Sequence, residues 1–401
     1  MTRPTVAFDQ HGEEFARDWR GVLARMRAET PLAWTEAHGG FWVATKYDDI
    51  VEIERTPAIF SCDHDMTGGP GTPQGVRIPP SPIKFHLNES DPPKHGALRK
   101  IEQPHFPIDR LRHWIDEAEI LAHECMDRMT GQGGGDLVED YTIPVAAQTV
   151  LRMVGIPPEE WRDYMAAALA GFLPTDHPDY PLEARLRIGR RVEQLMGERR
   201  GAPRGDILSA IANARIDGAP IDPDIARSMV MPLVFGGFDT TAATAASALH
   251  WLCDKPHLWD RLVEDRKFLD QAVHEWLRYF TPVTGGLART VMQETELRGQ
   301  KLMPGERILL MFASGSYDEE RFENPDRVDL DRLNARQHLA FGAGPHRCIG
   351  ATLGHAEICT MVRVFLSRVS DYSIDNRKAR RFPTMGLING WLIMPAMLTG
   401  K

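Results

Sequence analysis

The stretch Phe341 to Gly350 reads F-G-A-G-P-H-R-C-I-G, and helical sequence from roughly Ala351 to Ser367 follows it. Cys348 therefore stands at the end of a glycine-rich loop, just ahead of a helix start. Backbone N–H groups at a helix N-terminus favour negative charge, so they stabilise thiolate over thiol. Gly342, Gly344 and Gly350 carry no side chain, which lets the backbone turn tightly and come close to a flat partner. His346 can donate to an anion, and Arg347 puts positive charge beside the sulfur. The bland alternative is an incidental cysteine at a helix start, which is what a lone cysteine usually is. Ten consecutive positions that fit F-G-x-G-x-H-x-C-x-G weigh against it.

A thiolate in a loop with room for a planar partner is what a haem iron ligand needs. Length and composition are compatible with such a cofactor. With 401 residues, 42% of them hydrophobic, the chain can bury a large core. Its formal charge of −9 argues against nucleic acid or an anionic membrane as a bulk partner. The N-terminal M-T-R-P-T-V-A-F-D-Q contains neither an apolar run nor a cleavage signal. No stretch approaches the ~18 uninterrupted apolar residues of a membrane span. Cys62, Cys125, Cys253, Cys348 and Cys359 lack C-x-x-C spacing, so neither a disulfide framework nor a zinc site is indicated. A soluble, cytoplasmic protein fits best.

Upstream, Glu13 to Ala28 has helical apolar spacing, and Pro31 to Thr45 predicts two strands around Gly39-Gly40. Thr67 to Pro82 is dense in glycine and proline and predicts an irregular loop, either a functional one or a surface linker. Further helices are expected over Asp91-Pro92-Pro93 onward, Pro107 to Met129, Asp140 to Val154, Pro158 to Leu169 and Leu182 to Arg199. The longest begins at Asp222-Pro223, an N-cap followed by proline, and runs to about Asp254. Apolar on most faces, it should cross the core. Pro232, Gly236 and Gly237 predict a weakened middle, where Asp239-Thr240-Thr241 places a carboxylate and hydroxyls. A buried acid is costly unless used or paired; the alternative is a kinked helix with a solvated aspartate. Phe268 to Phe280 predicts a helix with Glu275 and Arg278 on one face, in isolation an ordinary ion pair. Strand-like alternation covers Leu287 to Leu297 and Arg307 to Met311, and returns in the tail from Tyr372.

Three motifs, G-G-F-D-T-T, E-W-L-R and F-G-A-G-P-H-R-C-I-G, fall in one order, and together they resemble the cytochrome P450 family from about Pro31 to the C-terminus. The resemblance implies a mainly α fold with a smaller β-rich lobe: a triangular helical prism with the long helix over haem. It implies one domain over 1–401, with β-rich portions near 31–60, 287–311 and 372–398. Cys348 would be the thiolate ligand of haem b iron, in a loop with Phe341, Gly342 and Gly350. His95, Arg99, Arg289 and His346 would receive the haem propionates, since buried carboxylates need cationic or strong donors. Glu275, Arg278 and Arg332 would form a buried bracing network. Thr240 would donate a hydrogen bond to dioxygen while Asp239 gates protons, with room made by a helix defect at Gly236.

W-T-E-A-H-G-G-F-W-V-A-T, E-D-Y and G-G-F-D-T look like the bacterial camphor-hydroxylase branch. That branch holds its ketone with a tyrosine, and this chain has none between Tyr47 and Tyr141; Ile83 falls near that place. Leu287 likewise stands near where the branch has an acid. Camphor is therefore not expected. Phe85, Pro232, Phe235, Gly236, Gly285, Leu387 and Ile388 are the expected pocket residues, for a compact hydrophobic substrate such as a terpenoid, norisoprenoid, aromatic or steroid. The expected activity is monooxygenation by a monomer. Electrons would come from a ferredoxin docked on Arg99, Lys100, Arg110, Arg112 and Arg347. A peroxide-driven enzyme and a non-catalytic haem-thiolate sensor are the alternatives; the Asp239-Thr240 pair argues against both.

Overall fold

The structure, a computed structural model, describes residues 3–69, 71–168, 173–285 and 287–401. Its α-helices in chain order are α1 (Glu13–Glu29), α2 (Tyr47–Arg55), α3 (Lys94–Glu102), α4 (Ile108–Gly131), α5 (Ile143–Val154), α6 (Trp161–Ala168) and α7 (Leu182–Gly201). There follow α8 (Ile207–Ala212), α9 (Pro223–Leu252), α10 (Trp259–Glu264), α11 (Arg266–Phe280), α12 (Phe312–Ser316) and α13 (Ala351–Arg368). Leu169, the expected end of the helix after Pro158, lies outside the described residues.

The strands are short. Five form one sheet: β1 (Leu32–Thr35), β2 (Phe41–Ala44), β3 (Phe60–Ser61), β7 (Leu287–Val291) and β10 (Arg307–Leu310), in the order β1-β2-β10-β7-β3. β2 and β10 run parallel, the other pairs antiparallel, with Ile308 opposite both Trp42 and Arg289. β4 (Gly134–Asp136) joins β11 (Val369–Ile374) and β14 (Pro395–Gly400) in a second sheet. Two-stranded ribbons pair β5 (Arg215–Ile216) with β6 (Ala219–Pro220), β8 (Thr295–Leu297) with β9 (Gln300–Leu302), and β12 (Arg380–Arg381) with β13 (Trp391–Ile393). Among the described residues, no helix is long and apolar enough to cross a membrane.

α9 organises the helical part. Asp222 accepts from the backbone N–H of Asp224 (2.8 Å) and Ile225 (3.1 Å), and Pro223 supplies a first position that needs no donor. At ~1.5 Å per residue its 30 residues span about 45 Å. It buries Met229, Val234, Phe238, Ala245 and Leu249, so its apolar residues cover most faces because neighbours surround it. α5 comes closest at Gly237, where a Cβ would stand 2.6 Å from Val150 Cγ2. The expected break at Gly236 does not occur: α9 is helical from Pro223 to Leu252. The expected start of the helix at Asp140 also differs. A π-helical stretch, Leu137–Thr142, capped by the Asp136 carboxylate, precedes α5.

The described residues of the 67–82 loop are irregular but pinned. Val76 O accepts from Ala288 N (2.7 Å), Gly75 O from Arg307 Nη2 (2.7 Å) and Ile78 O from Gln10 Nε2 (2.9 Å). α3 ends on Glu102, fully buried, with both carboxylate oxygens unpartnered among the described residues. Burial pushes its pKa up to about 8, against the opposing pull of Arg99.

α11 starts under an Asp265 cap and buries Glu275 and Arg278 completely. Arg278 donates from Nε (2.7 Å) and Nη2 (2.8 Å) to the two Glu275 oxygens, a two-pronged pair. Arg332 Nε adds bonds of 3.0 and 3.2 Å to the same carboxylate. The remaining donors reach main-chain carbonyls of Ser316, Glu323, Asn324, Pro325 and Arg327. Replacing the carboxylate would strand two buried guanidiniums, a loss of about 3–5 kcal/mol. Glu275→Ala should therefore lower the urea midpoint by that equivalent. A loss below about 1 kcal/mol would mean that the network does not brace this region.

Candidate active site

The Phe341–Gly350 loop is closed by Cys348 N–H donating to Phe341 O at 2.9 Å. Gly344 has φ +61°, and a Cβ there would lie 2.2 Å from Glu54 O, so only glycine lets the loop rest on α2. Cys348 opens onto an internal cavity: its side chain is accessible from that space although protein surrounds it. Burial raises the thiol's pKa above its ordinary value, opposed by the Gly350 N–H, Arg347 and Arg99. The donors expected at the helix start do act on the sulfur, but without a bound cation burial outweighs them.

The cavity has a volume of about 280 Å³. Phe341, Gly342, His346, Cys348 and Gly350 line it, and His95, Arg99 and Arg289 join them from α3 and β7. All eight residues expected around a cofactor thus converge on one space. The His95 and His346 rings lie 4.0 Å apart between centroids. His95 Nε2 is buried with no hydrogen-bond partner among the described residues. Arg99 Nη2 donates to Arg347 O at 2.8 Å.

Arg289 is already engaged. It pairs with Glu54 of α2, whose side chain is 2% exposed and also accepts from Ala343 N at 3.4 Å. Burial raises the Glu54 pKa despite the arginine. Sequence reasoning missed Glu54, yet a signal existed. It lies four residues after Ile50, on the helix face that buries Ile50 and Ile53. Glu357 of α13 was also missed. It lines the cavity, fully buried, with Oε1 unpartnered among the described residues and its pKa raised well above the ordinary carboxylate value by burial.

Across the cavity, Thr240 Oγ1 donates to Gly236 O at 2.9 Å, within a stretch of α9 that is helical where a defect was expected. Gly236 still makes room, since a Cβ there would have no neighbour within 4 Å. Thr240 faces the cavity, whereas Asp239 is turned toward α7 and the Arg185 guanidinium. Burial pushes the Asp239 pKa up to about 8, and Arg185 only partly offsets it. Arg185 is itself held, donating to Ala167 O (3.2 Å) and Tyr180 Oη (2.6 Å).

Of the expected pocket residues, Pro232 and Gly236 line the cavity. The others pack elsewhere among the described residues. Phe235, four before Asp239, lies under Arg185, 5.4 Å from its ring centroid. Phe85 packs on the main core. Gly285 is wedged against β10, where a Cβ would be 2.9 Å from Leu310 O. Leu387 and Ile388 stand behind the lining residue Val283, through Thr284 N–H to Leu387 O (3.0 Å) and a bridge from Ile388 to Val283. Their places in the wall are taken by Val76, Leu87, Met229, Leu233, Val283 and Phe312, with Asn88 as a polar neighbour.

A sequence profile described as Cytochrome P450 matches residues 198–371. A linalool 8-monooxygenase of Pseudomonas putida is 28% identical over 393 residues, covering 95% of each chain. A Mycobacterium marinum cytochrome P450 solved with pseudoionone superposes with a TM-score of 0.87 at 28% identity, over 99% of both chains. The chain belongs to the cytochrome P450 family. A Novosphingobium aromaticivorans cytochrome P450 gives a TM-score of 0.85 at 27% identity, over 98% of this chain and all of that one. This P450 is by class a monooxygenase, an oxidoreductase.

Haem is the family's cofactor, and the residues present fit it. A lone buried imidazole nitrogen, two guanidiniums and a thiol surround a space with apolar walls.

The raised Asp239 pKa carries a sign. A carboxyl whose folded pKa lies above its unfolded value stabilises the fold below the unfolded value and loses that contribution as pH rises through the folded one. Between about pH 4 and 8 the wild-type chain should lose up to about 1.4 kcal/mol per pH unit relative to Asp239→Asn. Urea midpoints of the two proteins at pH 6 and pH 9 measure this. Parallel midpoints would show that Asp239 ionises freely.

Proposed function

We propose that this P450 inserts one oxygen atom of O2 into a C–H or C=C bond of a compact hydrophobic substrate, with electrons from a ferredoxin and its reductase. The convergence of Cys348, four cationic or imidazole side chains and Thr240 around one cavity, with Asp239 beside Thr240 in the chain, supports the reading. Haem, when bound, supplies the redox chemistry that activates dioxygen; haem b is the form we propose. Cys348 would hold the iron through its sulfur. His95, Arg99, Arg289 and His346 would receive the propionates, with Glu54 sharing Arg289. Glu275, Arg278 and Arg332 brace the cysteine side.

The remaining chemistry belongs to the chain. Thr240 now donates to Gly236 O, and rotation of its hydroxyl would present the same proton to dioxygen in the cavity. Asp239 holds a proton below about pH 8 and can pass it toward the neighbouring Thr240. Arg185 lowers that pKa, and so tunes when the carboxyl releases its proton. The cavity wall, mostly Val76, Leu87, Met229, Pro232, Leu233 and Val283, excludes water and favours an apolar ligand. A terpenoid or norisoprenoid fits best, in line with the relatives named for linalool and solved with pseudoionone. Steroids are the next class, since a Mycolicibacterium smegmatis relative, 28% identical, is named for steroid C26 oxidation. The same reading treats residues 1–401 as one domain and the protein as a cytoplasmic monomer.

Lys100, Arg110, Arg112 and Arg347 are exposed, and Arg99 is half-buried beside Arg347. We assign the ferredoxin to this basic surface, with binding that weakens as salt rises.

The ferrous–CO complex of the intact protein should show the red-shifted Soret band of thiolate ligation, and Cys348→Ser should lose it. An unshifted band in intact wild type would remove Cys348 from the iron. Product formation with a ferredoxin pair but not with peroxide separates the monooxygenase from a peroxide-driven enzyme. Reversing charge at Arg110 and Arg112 should slow reduction by about tenfold at low salt and flatten its salt dependence. An unchanged rate would place the docking surface elsewhere.

A further inference from the structure

α11 and α13 meet at a second cluster of metal-binding side chains, separate from the cavity. Asp270 and His274 stand four residues apart on one face of α11, and His355 faces them from α13. One potential ligand atom from each lies within 4.8 Å of the others. Asp270 Oδ1 and His355 Nε2 are 3.7 Å apart. Two ligands at ~2.0–2.1 Å from a tetrahedral zinc ion stand about 3.4 Å from each other, so a small closure brings this pair to bonding geometry. We propose that Asp270, His274 and His355 form a site for a divalent transition metal, with zinc the best-matched ion, that clips α11 to α13.

The surroundings suit that role. Asp270 divides its oxygens, since Oδ2 pairs with Arg336, itself 62% exposed, while Oδ1 faces His355. His355 Nε2 now donates to Asp270 O at 3.1 Å, a carbonyl inside α11. On ligation the imidazole proton moves to Nδ1, which faces Cys359 Sγ at 3.8 Å. His338 stands behind His274, with Nε2 3.4 Å from its Nδ1, and holds that ring against His355, whose centroid is 4.3 Å away. All three ligand residues are half-buried, so an ion can enter and a water can fill the fourth position. Imidazole with one carboxylate selects zinc over magnesium or calcium. Cysteine spacing gives no hint of this site, because no cysteine is a proposed ligand.

The test uses the haem-loaded, untagged chain, stripped with a chelator and titrated with Zn2+ by calorimetry. One equivalent should bind, with a rise in unfolding temperature. Asp270→Asn and His355→Gln should each weaken binding at least about tenfold, while His123→Gln, an exposed histidine elsewhere, should not. An unchanged haem spectrum verifies that each variant is folded, and Asp270 is 41% exposed, so its replacement spares the core. No stoichiometric uptake, or wild-type affinity in either variant, would overturn the site.

Discussion

A carboxylate buried away from water, Glu275, holds two guanidiniums, and the irregular stretch ahead of the Cys348 loop is bonded to them. Placing one negative and two positive charges in the core is costly, and only complete hydrogen bonding makes it tolerable. The leftover donors of Arg278 and Arg332 bond to carbonyls of Ser316, Glu323, Asn324, Pro325 and Arg327. Those carbonyls belong to a segment with no long helix or strand to satisfy them. The forks of two arginines thus do for an irregular stretch what a ladder does for a strand. The loop that carries Cys348 begins where this stretch ends.

The opposite wall is built by a different rule. α9 carries Gly236 and Gly237 side by side, and each serves another purpose. Gly237 lets α5 pack at 2.6 Å from a would-be Cβ, whereas Gly236 faces open space beside Thr240. The helix stays regular although the Thr240 hydroxyl also bonds to the Gly236 carbonyl. A site for a small ligand is made here by omission of side chains, not by a broken backbone.

Phe341 to Gly350, the Asp222-Pro223 start of α9 and the Glu275–Arg278 spacing were legible because each is local and its chemistry needs those residue types. The pocket wall was less so. Phe235 has the composition of a lining residue but points at Arg185, a partner from α7 that no local pattern reveals. Leu387 and Ile388 come near the site only through hydrogen bonding with residues more than 100 positions away. Glu54 could have been found, since helical periodicity puts it on a buried face, but a glutamate in a charged helix reads as solvated. The direction of the Cys348 pKa depends on how much protein surrounds the sulfur, a quantity set by tertiary packing.

Glu102 closes α3, the helix that presents His95 and Arg99 to the cavity, and among the described residues its oxygens have no hydrogen-bond partner, so only the charge of Arg99 opposes the effect of burial. At neutral pH the unfolded chain carries this group ionised, while the folded chain carries it protonated. Folding of this protein therefore draws protons from solution, at Glu102 as at Asp239. Loss of the Glu102 proton in mild alkali would place a buried charge at the end of the helix that carries His95 and Arg99.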